Sequence, residues 1–238
     1  MSGCESTDGW EAVFWDIGGV ILALDSVQRA HAEFVARLLE HHGIETTLEA
    51  AIDTWQTTVG EYFRERDGTE FRAAREAYHR GIEAIVGEEV PRDEWHPHVD
   101  DVIRSSLEPV SGAPETIARL ADRDVHVGVV SDIDDAEGRA ILEGLGVCEH
   151  LDSMTTSEEV GRTKPDPAIF ETALEKADAE PGRSLMIGDR YTHDVRGAAA
   201  VGMCGVAFGA ADGPAVSYRI DTPEEVLEIL DGEQPDTA

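Results

Sequence analysis

Leu185-Met-Ile-Gly-Asp-Arg-Tyr-Thr-His-Asp-Val-Arg-Gly-Ala198 decides how the rest of the chain is read. A short apolar run ends in Gly188-Asp189, a second carboxylate follows at Asp194, and small residues then open a helix. The pattern sets two acidic groups at the carboxyl tip of a buried strand, the edge at which open parallel α/β sheets bind ligands. One or two carboxylates, completed by waters and a phosphate, form the oxygen shell that Mg²⁺ prefers. The same residues also read as a plain strand-to-helix turn in which Asp194 caps or hydrates the helix start. The rest of the chain bears on that choice.

Outward from this segment, strand and helix signals alternate. Downstream lie a strand at 204–208 and a helix at 223–230, with 232–238 expected to be a disordered tail. Upstream lie a helix at 167–176, a weak strand at 152–156, a helix at 136–145 stopped by Gly146, and an apolar strand at 125–130 that ends at Ser131. Near the N-terminus, the apolar run 12–15 ends at Asp16 and a Gly18-Gly19 pair. Between 25 and 107 only helices are predicted. Ser26 caps one reaching 42, Thr47 caps one reaching 66, Thr69 caps one reaching 86, and Pro97 starts a fourth that ends near 107. The expectation is an α/β fold, a doubly wound Rossmann-like parallel sheet, interrupted after its first strand by an all-helical insert. The core domain would take residues 1–24 and 108–238, and the helical cap domain residues 25–107.

Composition excludes several partners. The chain has 238 residues, with 50 Asp plus Glu against 19 Lys plus Arg, a formal net charge of −31. Only Lys164 and Lys176 are lysines. Such self-repulsion is screened at molar salt, where the Debye length falls to about 3 Å. The composition resembles that of halophilic proteins from salt-rich cytoplasm. It argues against nucleic acid, which needs a basic face. No apolar run is long enough to span a membrane, and residues 1–8 lack the basic and apolar segments of a leader, so a cytoplasmic protein is expected. Cys4, Cys148 and Cys204 form no Cys-x-x-Cys pair and are expected to be free thiols. The oligomeric state is not written in the sequence.

Four polar groups fall at or beside predicted strand tips: Asp16, Ser131, Lys164 in Gly161-Arg-Thr-Lys-Pro-Asp-Pro167, and Asp189. Parallel strands bring their tips to one edge, so a carboxylate nucleophile, a hydroxyl, a cation and a further carboxylate would meet around one small anion. Phosphoryl transfer needs those parts. Each also has an ordinary reading: Asp16 as a turn residue before glycine, Ser131 as strand-end turn chemistry, Lys164 as a solvated charge.

In this order the four segments resemble the motifs of the haloacid dehalogenase superfamily, and the helical insert is similar to its cap domain. The resemblance covers about residues 12–230. Its most specific pieces are Gly161-x-x-Lys-Pro-Asp-Pro-x-Ile-Phe170 and Gly188-Asp-x-x-x-x-Asp-x-x-Gly-Ala198. It implies that Asp16 attacks phosphorus to form an aspartyl-phosphate, Ser131 hydrogen-bonds the phosphoryl group, and Lys164 neutralises charge. It also implies that Mg²⁺ is held by Asp16, the backbone carbonyl of Gly18 and Asp189, with Asp194 supporting the metal site. The implied substrate is a small phosphorylated metabolite.

One departure matters. Phosphatases of this superfamily usually carry Asp-x-Asp in the first motif, and the second carboxylate works as general acid and base. Here that position is Gly18, in Asp16-Ile-Gly-Gly-Val20, as in an Asp-x-Gly-x-Val branch that includes sugar-phosphate phosphatases. Asp25 could stand in, or simply share a helix cap with Ser26. Asp132, where many relatives have Asn, would have to face metal or solvent. His193 could reach the leaving group or be a solvated loop residue, and Trp55, Tyr62, Phe63, Tyr78 and Trp95 could touch substrate or pack helices. Two other functions share the scaffold. A metal-independent 2-haloacid dehalogenase uses the same nucleophile but usually lacks the Gly-Asp pair, and a non-catalytic phosphate-binding relative would keep the fold without turnover.

Overall fold

The computed structural model describes residues 9–209 and 211–232. The chain runs β1 (Ala12–Trp15), α1 (Leu24–His42), α2 (Leu48–Arg64), α3 (Ala74–Val86), α4 (Arg92–Ser106), α5 (Ala113–Ala121), β2 (His126–Ser131) and α6 (Asp135–Gly144). It continues through β3 (Ser153–Thr156), α7 (Ser157–Val160), α8 (Pro167–Ala177), β4 (Ser184–Gly188), α9 (Arg196–Ala200), β5 (Cys204–Phe208), β6 (Val216–Ile220) and α10 (Glu225–Leu230).

The sheet has the order β3-β2-β1-β4-β5-β6 with every pairing parallel. This is the expected doubly wound, Rossmann-like sheet. Its central strands β1 and β4 read as nearly continuous apolar runs because helices cover both faces. Val13, Trp15, Val129 and Ile187 pack on one side with Ile117 of α5, Ile141 of α6 and Val226 of α10. Phe14, Val130 and Met186 pack on the other with Ile169, Phe170 and Ala173 of α8. β1 is central, with Trp15 in register with Val129 of β2 and Ile187 of β4. Asp16, Ser131 and Gly188-Asp189 therefore emerge from adjacent strand ends.

Helices α1–α4 lie between β1 and α5 and share a core of their own around Phe34, Val35, Trp55, Ile82 and Trp95. Several boundaries differ from expectation. α1 starts before Ser26, whose buried hydroxyl donates to the Ala23 carbonyl at 2.7 Å and caps nothing. α4 starts at Arg92 and carries Pro97 inside it. Thr47 does cap α2, accepting from the Ala50 amide at 3.2 Å. Thr69 does not cap α3, because residues 69–71 instead run as a strap against 161–163: the Thr163 amide donates to the Thr69 carbonyl at 2.7 Å and the Phe71 amide to the Gly161 carbonyl at 3.1 Å. α3 takes its cap from far away in sequence. Asp134 accepts from the Ala74 amide at 2.8 Å and the Arg75 amide at 3.2 Å.

β6 was not anticipated; it is a half-exposed edge strand with weak apolar alternation, paired across an irregularity at Gly205/Val206. Cys148 is a free thiol, but Cys204 is engaged in a disulfide, which corrects the expectation for it. Cys4 and the tail at 233–238 lie outside the described residues.

Candidate active site

Asp16 follows β1 directly and is almost fully buried. Three donors converge on a single oxygen of its carboxylate. The Ile17 amide reaches Oδ1 at 2.8 Å, the Ser131 hydroxyl at 2.9 Å and the Lys164 ammonium at 2.9 Å. No contact falls on Oδ2 among the described residues. The two oxygens are thereby differentiated, one held and one open.

Lys164 is buried, an unusual place for a lysine unless its charge is matched. Its Nζ donates to the Val130 carbonyl at 3.0 Å and forms ion pairs with Asp16 Oδ1 at 2.9 Å and Asp194 Oδ1 at 2.7 Å. Burial works against the charge, but Asp16, Asp194 and Asp132 outweigh it and hold the ammonium protonated. Asp132 does not face metal or solvent alone: it accepts from the Lys164 amide at 2.7 Å and from Arg190 at 3.2 Å. Arg190, unremarked in the sequence reading, is what makes an aspartate acceptable there.

Asp189 and Asp194 complete the strand-tip cluster. Residues 191–195 form one π-helical turn, a wider winding that recurs at functional sites. It turns Asp194 back so that its Oδ2 accepts from the Arg190 amide at 2.9 Å. Gly188 is required for this approach, since a Cβ there would lie 2.1 Å from the Asp194 Cβ. Gly19, at φ +77°, makes room for Asp189, whose Oδ2 would be 2.2 Å from an added Cβ. Gly18 is different: it lacks a positive φ, and an added Cβ would meet only Leu24, at 3.8 Å.

Carboxylate oxygens of Asp16, Asp189 and Asp194 lie within 4.8 Å of one another. Burial, then repulsion from Asp16 and Asp194, pushes the Asp189 carboxyl up. Burial likewise raises Asp194, against the pull of Lys164. Asp189 Oδ1 is buried without a hydrogen-bond partner among the described residues. A crowded set of oxygen donors, with Asp189 Oδ1 and Asp194 Oδ1 both buried without a hydrogen-bond partner among the described residues, fits a hard divalent cation.

The cluster opens into a cleft of about 470 Å³ between the sheet edge and helices α1–α3. Phe63, Arg66 and Arg72 line it from the insert, with Tyr78 and His31 above Glu137 of α6. Asp25 is absent from this lining. It is exposed and paired with Arg29 at 2.7 Å, which removes it as a substitute for the carboxylate missing at Gly18. His193 also lies outside the lining, half-buried on the π turn. Of the insert aromatics, Trp55 stacks on Tyr78 at 5.3 Å and contacts Phe34 at 5.5 Å, and Trp95 is buried; these are packing residues.

An all-parallel α/β sheet with a lysine-held aspartate and two further carboxylates at its carboxyl edge defines a Rossmann-like protein with its candidate site at that edge. Residues 10–202 match the family model of haloacid dehalogenase-like hydrolases, and the chain belongs to that family. It is similar to haloacid dehalogenase-like hydrolase domain-containing protein 3 of Bos taurus, 43% identical over 99 residues, a match spanning 42% of this chain and 39% of that relative. It is also similar, at 26% identity over 209 residues, to the ribulose-1,5-bisphosphate 5-phosphatase of Halopiger xanaduensis, covering 84% of this chain and 85% of that one. Among solved structures, a HAD phosphatase from Thermococcus onnurineus superimposes with a TM-score of 0.69 at 25% identity, over 94% of this chain and all of that one.

Proposed function

We propose that this chain is a Mg²⁺-dependent phosphatase that hydrolyses a small phosphate ester of the sugar-phosphate kind in a salt-rich cytoplasm. The observation that carries the reading is the asymmetry of Asp16, which lines the cleft: Oδ1 is fixed by three donors while Oδ2 has no hydrogen bond or ion pair among the described residues. A nucleophile so held has little orientational freedom left to lose.

In the first step Oδ2 of Asp16 forms a bond to phosphorus as the ester oxygen leaves with the bond's electron pair, giving an aspartyl-phosphate and an alkoxide or phenolate that takes its proton from water. Water then attacks that phosphorus, releasing inorganic phosphate and regenerating the carboxylate. Lys164 adds positive charge near the phosphoryl oxygens. The Ser131 hydroxyl, free to rotate, can donate to a phosphoryl oxygen when one enters. Asp16, Asp189 and the Gly18 carbonyl would hold the cation, with Asp194 beside them. Mg²⁺, when bound, supplies charge neutralisation to the phosphoryl group. Gly18 brings no proton to the leaving oxygen, so good leaving groups should be favoured. Residues 25–107 act as the cap over residues 1–24 and 108–238.

The Asp189 and Asp194 cluster supports phosphate chemistry over a metal-independent dehalogenation, which has no use for an orphaned carboxylate oxygen. The test is hydrolysis of p-nitrophenyl phosphate at molar KCl, with Mg²⁺ and with excess chelator, in wild type and Asp16→Asn. Turnover should need Mg²⁺ and fall at least about a thousandfold in the variant. Retained turnover in chelator or in Asp16→Asn refutes the reading.

A further inference from the structure

Three arginines line the cleft, and their partners differ. Arg190 donates to Asp132 at 3.2 Å. Arg72 donates to the Tyr62 carbonyl at 2.7 Å and the Glu65 carbonyl at 2.9 Å, and lies 3.3 Å from the Glu65 carboxylate. Arg66 has neutral acceptors only: its Nε donates to the Phe63 carbonyl at 3.1 Å and its Nη1 to the Thr163 hydroxyl at 3.1 Å. No carboxylate lies within ion-pair distance of it among the described residues.

In a chain with 50 acidic and 19 basic residues, a half-buried guanidinium facing a cleft without an acidic partner is conspicuous. Its two bonds fix the plane of the fork and leave three of the five N–H donors for something else. Arg66 is also tied to the reaction centre. Thr163, which anchors it, immediately precedes Lys164, and Lys164 touches Asp16 at 2.9 Å. One loop therefore registers the nucleophile and the guanidinium against each other.

We propose that Arg66 is a specificity-determining residue that receives a second anionic group, carboxylate or phosphate, at the far end of an ester whose first phosphate sits at Asp16. This rests on the phosphatase reading and narrows its substrate class to small esters with two anionic ends. A bidentate guanidinium contact acts at short range, so it persists in the high salt that screens the chain's net repulsion of such substrates.

Three matched three-carbon ligands test it: 1,3-propanediol bisphosphate, the O-phosphate of 3-hydroxypropionate, and propyl phosphate. Each is measured as an inhibitor of p-nitrophenyl phosphate hydrolysis and, independently, by calorimetry. Wild type should bind at least one two-anion ligand about ten- to a hundredfold more tightly than propyl phosphate. Arg66→Gln should bring that ratio close to one. Arg64→Gln removes the same charge from the exposed end of α2, outside the cleft, and should keep the ratio. Whichever of the two anionic ends gives the larger ratio identifies the group. A ratio near one in wild type, or one that survives Arg66→Gln, overturns the proposal while p-nitrophenyl phosphate turnover still stands for the phosphatase. Absent turnover removes the phosphatase reading, and calorimetry still decides whether Arg66 receives the second anion.

Discussion

Glu137 stands on the first turn of α6 where the insert meets the core. The Tyr78 hydroxyl of α3 donates to its Oε1 at 3.2 Å, while Oε2 is buried without a partner among the described residues. His31 of α1 and Ile141 line the same space. Burial, and then the charge of Asp134, pushes this carboxyl from 4.5 to about 7, against the opposing effects of Tyr78 and Arg75. Between those values the folded chain keeps a proton that the unfolded chain has released. Folded protein binds more protons, so this residue's contribution to stability falls as pH rises from about 4.5 to about 7 and is flat above. At about 1.4 kcal/mol per unit the full loss is about 3.5 kcal/mol, a ceiling because the side chain is not fully enclosed. Glu137→Gln keeps the shape and the acceptor for Tyr78 and replaces the proton with an amide N–H. The variant should therefore be more stable than wild type by up to about 3.5 kcal/mol at pH 8, about 7–14 °C in Tm for a chain of this size, and no more stable at pH 4.5. The assay is urea and thermal unfolding of both proteins at fixed molar KCl across pH 4.5–8.5. Comparing the two cancels the other carboxylates. A pH-independent difference, or a less stable variant at pH 8, would refute the argument.

Asp189→Ala should raise the Mg²⁺ needed for half-maximal turnover by tenfold or more, read from a metal titration, because it deletes a buried oxygen with no hydrogen-bond partner among the described residues. Gly19→Ala should lower stability by about 1–2 kcal/mol through its left-handed φ and also displace Asp189, whereas Gly18→Ala should be nearly neutral in unfolding experiments. Equal losses in the two would contradict the distinction between them. The melting temperature should climb steadily from low to molar KCl, since a net charge of −31 is self-repulsive when unscreened; a flat profile would contradict this account of the composition.

The middle of the sheet was legible because β1, β2 and β4 are largely apolar runs of four to six residues that lead into Asp16, Ser131 and Gly188-Asp189. A parallel sheet then leaves one place for those ends to meet. Lys164 was legible for a compositional reason: with two lysines in the chain, its place in a Pro-rich motif stood out. What stayed hidden depends on contacts between distant segments. Asp134 as the cap of α3, Arg190 as the partner of Asp132, and the buried Glu137 against Tyr78 join residues about sixty positions apart, and no local pattern encodes them. Thr69 failed as a helix cap because its backbone was claimed by strap pairing with Thr163. A run of arginine, glycine and polar residues between two helices, as at 64–73, signals a loop but not where that loop docks. Asp25 was plausible by its distance in sequence from Asp16 and lost to Arg29 one helical turn away.

The strap at 69–71 gives the insert a hold on the loop that carries Lys164. Seen as a problem of inheritance, the insert is then not an exchangeable attachment. A chimera that replaced residues 24–107 with another helical bundle would keep every residue around Asp16 and still lose two backbone hydrogen bonds to 161–163, the Thr69 contact to Asp166 and the Arg66 contact to Thr163. The loop would be left to place its ammonium alone. Changes that diversify the insert are therefore expected to spare the strap and to accumulate on the far side of the bundle.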